Sequence, residues 1–512
     1  MHASSAYLGP NNRGEWGLAQ SLSNVLRATT ALALVGFSLS ACSVGPNFER
    51  PAAPSATYGE TPPAPTAAAD VAGGASQSFR ESGEIAAEWW TLFQSPALND
   101  LVQLALANSP TLKSAEAALR QVHELQRADF SVLLPAVDGS FATTRQKITG
   151  FGGGPPIPPF TMHTAQVSVA YGIDLWGAAR RTYEADIAQT ERARFQMEAA
   201  RLSLTSNVVA AALQHASVRA QVQATQTILD LQTQQLGLLR EQLRLGAIAE
   251  ADVLTLETAV AQTRALLPGL EKALGQNRNL LLALTGRFPS EHLDADFDLA
   301  TFTLPAELPL SVPAQLVAQR PDVRASEAIA HAAAAQVGVA TALMLPQISL
   351  SASIGTSNSD IENLFSAGTG IWSLAAGVTQ PIFHGGELLH RKRAAVAAYE
   401  GALADYRGTV VSAFQNVGDV LHALEVDAIA VKAQLDAERA ANTSLGIAQT
   451  QYQIGATSFL TLLDAQRTYQ QTRINLVQAQ AARYADTAAL FAALGGGWWN
   501  RPENKDQIIG QN

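Results

Sequence analysis

One cysteine, Cys42, stands in 512 residues, so no disulfide can form within the chain whatever the redox state of its compartment. Charge is scarce as well: 15% of residues are charged, the net charge is -10, and Lys and Arg form no extended basic tract. A nucleic-acid surface needs clustered Lys and Arg to neutralise phosphates, which argues against nucleic acid as a partner. No segment offers about 18 uninterrupted apolar residues, so a transmembrane helix is not expected. Any crossing of a membrane is then left to a closed β-barrel. Catalytic signatures are missing too. There is no Gly-x-x-x-x-Gly-Lys-Ser/Thr loop, no Gly-x-Ser-x-Gly elbow, and no histidine pair at ligand spacing among the nine histidines. The expectation is a protein with no enzymatic activity, no metal and no cofactor. His384, beside Gly385-Gly386, reads as a structural residue of a turn.

What is present starts with the surroundings of that one cysteine. Arg13 and Arg27 precede an apolar run over residues 31–39, and the small residues Ser40 and Ala41 follow, which is the plan of a secretory signal peptide over 1–41. Leu39-Ser40-Ala41-Cys42 reads as a lipobox, in which the Cys42 thiol carries a covalent lipid and the mature protein begins at that residue. An ordinary signal peptide with a chance cysteine is the alternative. Ser43, rather than Asp, at the next position directs a bacterial lipoprotein to the outer membrane. Acyl chains worth roughly 0.8 kcal/mol per buried methylene would anchor it in lipid. Residues 42–82, with Pro51, Pro54, Pro62, Pro63 and Pro65, suit an extended tether.

Beyond the tether the chain repeats itself. Leu134-Pro135-Ala136-Val137 returns as Leu345-Pro346-Gln347-Ile348, and Leu245-Gly246-Ala247 returns as Ile454-Gly455-Ala456. Two similar halves, 83–305 and 306–497, are expected, followed by a tail over 498–512. Residues 181–243 and 387–453 are rich in Ala, Leu, Gln, Glu and Arg with almost no Gly or Pro. That composition predicts helices of roughly 90 Å each. Apolar residues then recur at sevens: Val253, Val260, Leu267, Leu274 and Leu281, and again Leu463, Val477, Tyr484 and Phe491, with Gln470 interrupting. Such seams call for helical partners, and an ordinary antiparallel helical bundle explains them equally well. Pro268-Gly269 predicts a kink.

Four segments alternate instead. Ala165, Val167, Val169, Tyr171 and Ile173 alternate with Gln166, Ser168, Ala170 and Gly172. Ile348, Leu350, Ala352 and Ile354 alternate with Ser349, Ser351 and Ser353. The same pattern runs through Val137–Thr143 and Trp372–Thr379, placing strands at about 134–146, 163–176, 345–356 and 370–383. Each is about ten residues, the length that crosses a hydrocarbon core when tilted. One such strand would fit a soluble sandwich; four in a lipoprotein favour a barrel wall. About eight strands is the fewest that close in a membrane, so several chains must share one barrel, a dimer of eight or a trimer of twelve.

The chain resembles the outer-membrane factor family of efflux systems, the TolC type and its NodT-like lipoprotein branch. The matching pieces are the stretch Cys42-Ser43-Val44-Gly45-Pro46-Asn47-Phe48-Glu49-Arg50-Pro51, Asp174-Leu175-Trp176-Gly177, Arg320-Pro321-Asp322-Val323-Arg324, Gln380-Pro381-Ile382-Phe383-His384-Gly385-Gly386, Leu463-Asp464-Ala465-Gln466-Arg467 and Leu494-Gly495-Gly496-Gly497-Trp498. The resemblance implies a mainly α fold with a membrane β-barrel contribution. It implies a homotrimer with a twelve-stranded barrel in the outer membrane, continued by coiled-coil helices as a periplasmic α-barrel. It implies the exit duct of a tripartite efflux pump for drugs or other small toxic compounds, with a periplasmic membrane-fusion adaptor and an inner-membrane transporter as partners. The adaptor would meet the turns Leu245, Gly246, Ala247, Ile248 and Ile454, Gly455, Ala456, Thr457, where glycine suits a tight helix-to-helix turn. Plain helix caps without a partner are the bland reading of those turns. The constriction would fall on Leu460, Asp464 and Arg467, with Arg467 facing a carboxylate of a neighbouring chain. Read without the family, Asp464 is a solvated helix charge. A protein-secretion channel and a periplasmic scaffold that never enters the membrane are the rival functions.

Overall fold

The computed structural model describes residues 43–59, 64–81, 84–147, 158–293 and 295–502. Cys42, the expected lipidation site, and the signal segment lie outside the described residues, as does most of the loop between the first two alternating segments. In chain order the elements are β1 (Ser78–Glu81), α1 (Pro96–Asn108), α2 (Pro110–Asp129), β2 (Ala136–Gln146), β3 (Phe160–Ile173), α3 (Ala178–Arg244) and α4 (Glu250–Leu284). They continue with β4 (Glu307–Leu310), α5 (Pro313–Gln319), α6 (Pro321–Ala342), β5 (Gln347–Asn358), β6 (Gly370–Thr379), α7 (Glu387–Gln453) and α8 (Phe459–Ala493). The chain is mainly helical. α3 and α7 are 67 residues each and α4 and α8 are 35 each. Helices run this far because nothing in them stops them: α4 stays helical even through Pro268, where the sequence predicts a kink. The chain divides into two compact units.

The first unit takes in the residues up to Glu49, Glu124–Ala188 and His331–Gly401. Its centre is a four-stranded antiparallel sheet in the order β2-β3-β5-β6. Register sorts the alternating residues by face. Ser168, Ser353 and Ser373 stand side by side on three neighbouring strands, and the Ser353 and Ser373 hydroxyls are 2.9 Å apart. One residue along, on the opposite face, Val167, Ile354 and Trp372 form an exposed apolar row. β6 ends at Thr379, short of 383: Pro381 has no N–H to give a ladder, and Ile382 and Phe383 stand exposed beyond it.

The passage from β3 into α3 explains the motif Asp174-Leu175-Trp176-Gly177. The Asp174 carboxylate accepts the backbone N–H of Ala179 at 3.1 Å and of Arg180 at 3.0 Å, satisfying orphan donors of the new helix. Trp176 Nε1 donates to the Pro346 carbonyl at 2.8 Å. Gly177 has φ 84°, and a Cβ there would lie 2.7 Å from Ser43 Oγ, so only glycine fits. The N-terminal segment is held against the same junction. The Val44 N–H donates to the Trp176 carbonyl at 3.1 Å, Arg181 Nη2 donates to Asn47 Oδ1 at 2.7 Å, and the Phe48 ring stacks on His331 at 4.7 Å.

The second unit takes in Arg50–His123, Gln189–Ala330 and the described residues from Ala402. β1 and β4 pair in parallel within it. Its core gathers Trp89, Phe93, Leu98, Phe297, Tyr484 and Phe491, and the Trp89 and Phe491 rings stack at 5.4 Å. Most residues of the heptad seams face inward: Val253, Val260, Leu267, Leu281, Leu463, Val477, Tyr484 and Phe491 are buried, while Leu274 is only half-buried. Arg320 of the Arg-Pro-Asp motif closes the end of α8. Its Nη1 donates to the Ala493 carbonyl at 3.0 Å while Asp322 holds its Nη2 at 2.7 Å. The tether is packed rather than loose along part of its length: Arg483, 0% exposed, donates to Thr66 Oγ1 at 2.8 Å and to the Ala75 carbonyl at 2.6 Å.

Candidate functional site

The helix pairs α3–α4 and α7–α8 turn back in the same way. At the end of α3 the Gly246 N–H donates to the Leu243 carbonyl at 2.9 Å and the Ala247 N–H to the Gln242 carbonyl at 2.9 Å. At the end of α7 Gly455 donates to Tyr452 at 3.1 Å and Ala456 to Gln451 at 2.8 Å. Both are Schellman closures, which require a left-handed residue at the glycine position. Gly246 has φ 74° and Gly455 φ 72°, with no atom near enough to crowd a Cβ, so the backbone angle alone demands glycine. Leu245, Gly246, Ala247, Ile454, Gly455 and Ala456 are exposed, while Ile248 and Thr457 are half-buried. Ile248 packs on the cluster of Leu236, Leu239, Val253, Leu256, Phe459 and Leu463 beneath the turns. α8 then opens on Ser458, whose Oγ accepts the Thr461 N–H at 3.3 Å.

Leu460, Asp464 and Arg467 lie on one face of α8, spaced by four and three residues. All three are exposed, Leu460 at 63%, while the neighbouring Phe459, Leu462 and Leu463 are buried in the bundle. A leucine held out in solvent beside a carboxylate has no role in the core of its own chain. Arg467 is expected from the family to face a neighbour's carboxylate; within this chain its Nη2 donates to Gln262 Oε1 of α4 at 3.1 Å.

Behind this face runs a polar seam that apolar periodicity does not announce. Gln466, 0% exposed, donates to Gln235 Oε1 at 2.7 Å and leaves its own Oε1 without a partner. Gln232 Oε1 and Gln470 Nε2 are buried without partners as well. The interruption of the heptads at Gln470 is the signal in the sequence that marks this seam. Further along, Asp427 of α7 shares a hydrogen bond with Asp486 of α8. Burial, that bond and the charge of Asp486 push the Asp427 carboxyl up to about 7, against a smaller opposing pull from Arg483.

Among the described residues no group of three or more His, Asp or Glu side chains is placed to hold a metal, and no helix is long and apolar enough to cross a membrane. The molecule offers instead long paired helices with glycine-closed turns and a sheet with one oily and one hydroxylated face. These are the parts of a membrane channel protein. The chain belongs to the outer membrane efflux protein family, whose sequence profile matches residues 101–287 and 312–496. It is 30% identical over 493 residues to the antibiotic efflux pump outer membrane protein ArpC of Pseudomonas putida, covering 94% of this chain and 98% of that one. It is 29% identical, over the same shares, to a toluene efflux pump outer membrane protein, TtgC, also of Pseudomonas putida. Its fold matches that of the outer-membrane channel OprN with a TM-score of 0.80 at 28% identity, over 89% of this chain and 100% of that one. The chain is thus an outer-membrane channel that serves efflux, in a family of channels rather than of enzymes.

Proposed function

We propose that three copies of this chain form the exit duct of a tripartite efflux pump, passing small organic toxicants from the periplasm to the exterior. The four-stranded sheet carries the reading. Its apolar row of Val167, Ile354 and Trp372 suits lipid, and its serine row suits water. Yet β2 and β6 are each paired on one side only within the chain, and unpaired edges are forbidden in hydrocarbon. β2 and β6 run in opposite directions, so β6 of one copy can pair antiparallel with β2 of the next, and a ring closes head to tail. Three copies give a barrel of about twelve strands, above the minimum of about eight.

The other parts fit this plan. Matched helix lengths, 67 with 67 and 35 with 35, support two repeated halves at 83–305 and 306–497. A lipid on Cys42 would emerge next to Ser43, at the junction where the sheet ends, which is where an acyl chain can enter the bilayer. The two exposed glycine turns offer an adaptor two similar docking points. The exposed face of Leu460 and Asp464, repeated around an axis, makes an apolar ring beside a carboxylate ring, which narrows a pore and favours cations. Small organic cargo follows from the relatives, of which one is named for antibiotics and another for toluene. The mass of the detergent-solubilised particle tests the assembly: three chains per particle are expected, a dimer would contradict the twelve-stranded trimer, and a monomer would contradict the shared barrel.

A further inference from the structure

The oily face of the four-stranded sheet changes character at one end. Register sets Ile173 beside Ile348, Tyr171 beside Leu350 and Val167 beside Ile354, all of them apolar. Ala165, between Phe141 and Thr356, is where the change begins. From Ile173 to Ala165 is about 27 Å of strand, which at the usual tilt gives a height of roughly 20 Å, close to the lipid-facing band of about 25 Å in outer-membrane barrels. The next row on the same face is polar throughout: Thr143, His163 and Asn358 stand side by side, and the Thr143 hydroxyl lies 2.9 Å from His163 Nδ1. The row after it pairs Arg145 with Thr161, and Lys147 follows the end of β2.

This end of the sheet carries the β2–β3 and β5–β6 loops, whereas the opposite strand ends join helices, so in an outer-membrane channel with a helical periplasmic part it faces the exterior. Arg145 and Lys147 are exposed and make no hydrogen bond or ion pair among the described residues. No carboxylate stands on this face of the four strands; Asp360 and Glu362 belong to the loop past β5. An arginine on the lipid side is costly in hydrocarbon and cheap at the interface, which sets this row at headgroup level. The outer leaflet of such a membrane is a phosphorylated glycolipid. It supplies phosphates for Arg145 and Lys147, sugar hydroxyls for Thr161 and Asn358, and acyl chains for the apolar rows beneath.

We propose that the rim formed by Arg145, Lys147, His163 and Asn358 binds the acylated, bisphosphorylated glucosamine disaccharide of the outer leaflet, with its phosphates on Arg145 and Lys147 and its acyl chains along Phe141 and Val167. The claim rests on the reading of the sheet as a barrel wall. The full chain is placed in phosphatidylcholine nanodiscs doped with increasing fractions of hexa-acyl lipid A, and native mass spectrometry counts the lipid retained on release. Saturation at about one lipid A per chain is expected, with dephosphorylated lipid A and phosphatidylglycerol not retained. Arg145→Gln/Lys147→Gln should raise the half-saturating fraction about ten-fold, through the loss of two basic groups at the membrane surface. Arg391→Gln/Arg393→Gln removes the same charge at the start of α7, on the helical side of the sheet, and should leave it unchanged. Circular dichroism confirms folding; if the first double variant fails to fold, Lys147→Gln alone, past the strand end, should give a shift of about three-fold. Retention of phosphatidylglycerol equal to that of lipid A, no shift in the folded rim variants, or an equal shift in the α7 variant would overturn the site. Entry into nanodiscs without retention of lipid A would overturn the site alone, whereas failure of the folded chain to enter them would remove the barrel wall and the site together.

Discussion

Asp427 illustrates how much a single side chain can set. Its carboxyl is raised from the ordinary 3.8 to about 7 by burial and by Asp486. A carboxyl raised on folding favours the folded chain while it stays protonated. The unfolded chain releases this proton near pH 4, the folded chain only near pH 7, so stability falls across that window and is level above it. Asp427→Asn removes the penalty. Its thermal midpoint should match wild type near pH 4 and exceed it at pH 8; equal midpoints at pH 8 would refute the shared proton. Gly455 makes a second case. At φ 72° any Cβ is strained, so Gly455→Ala should destabilise the α7–α8 turn by about 1 kcal/mol, read as faster hydrogen exchange of the amides at positions 455 and 456, which close the turn. Gly401, mid-helix and in open space, is the control, where alanine should be neutral or stabilising.

Elements were the most legible scale in the sequence, for a physical reason. Helix composition, two-residue alternation and turn glycines are local signals, and residues 181–243 and 387–453 lie inside α3 and α7. The four alternating segments lie on β2, β3, β5 and β6, with ends displaced by a few residues where Pro381 or the Phe160 side of the loop decides them. Pairing was not legible. Arg483 reaches Thr66 across 417 positions, Gln466 reaches Gln235 across 231, and Asp427 meets Asp486 from another helix. No window of sequence carries such contacts. The positions Leu460, Asp464 and Arg467 came from family resemblance alone, since an exposed i, i+4 pair is ordinary on a helix. The sheet faces yield a prediction at this scale. Ile354→Arg, on the apolar row, should impair membrane insertion by about 2–4 kcal/mol, whereas Ser353→Arg, one residue along on the other face, should insert normally. Outer-membrane fractionation of the two variants checks it; equal yields would mean that the Ile354 face does not meet lipid.

For the whole molecule, length and apolar content are spent on two different solvents. One face of the sheet is exposed and oily although the helical unit has a well-filled core of its own. A soluble scaffold has no use for that exposed row, and a lone chain in lipid has no partner for the edges of β2 and β6. Both features resolve if copies close a barrel around a polar interior. The proposed constriction lies on the exposed face of α8 at Leu460 and Asp464. Single-channel conductance of the purified chain in a planar bilayer, wild type beside the double variant Leu460→Ala/Asp464→Ala, tests this most directly. Discrete insertions are expected for both, with the variant conducting several-fold more than a nearly closed wild type. Failure of the folded protein to insert, or to conduct in either form, would contradict the channel itself.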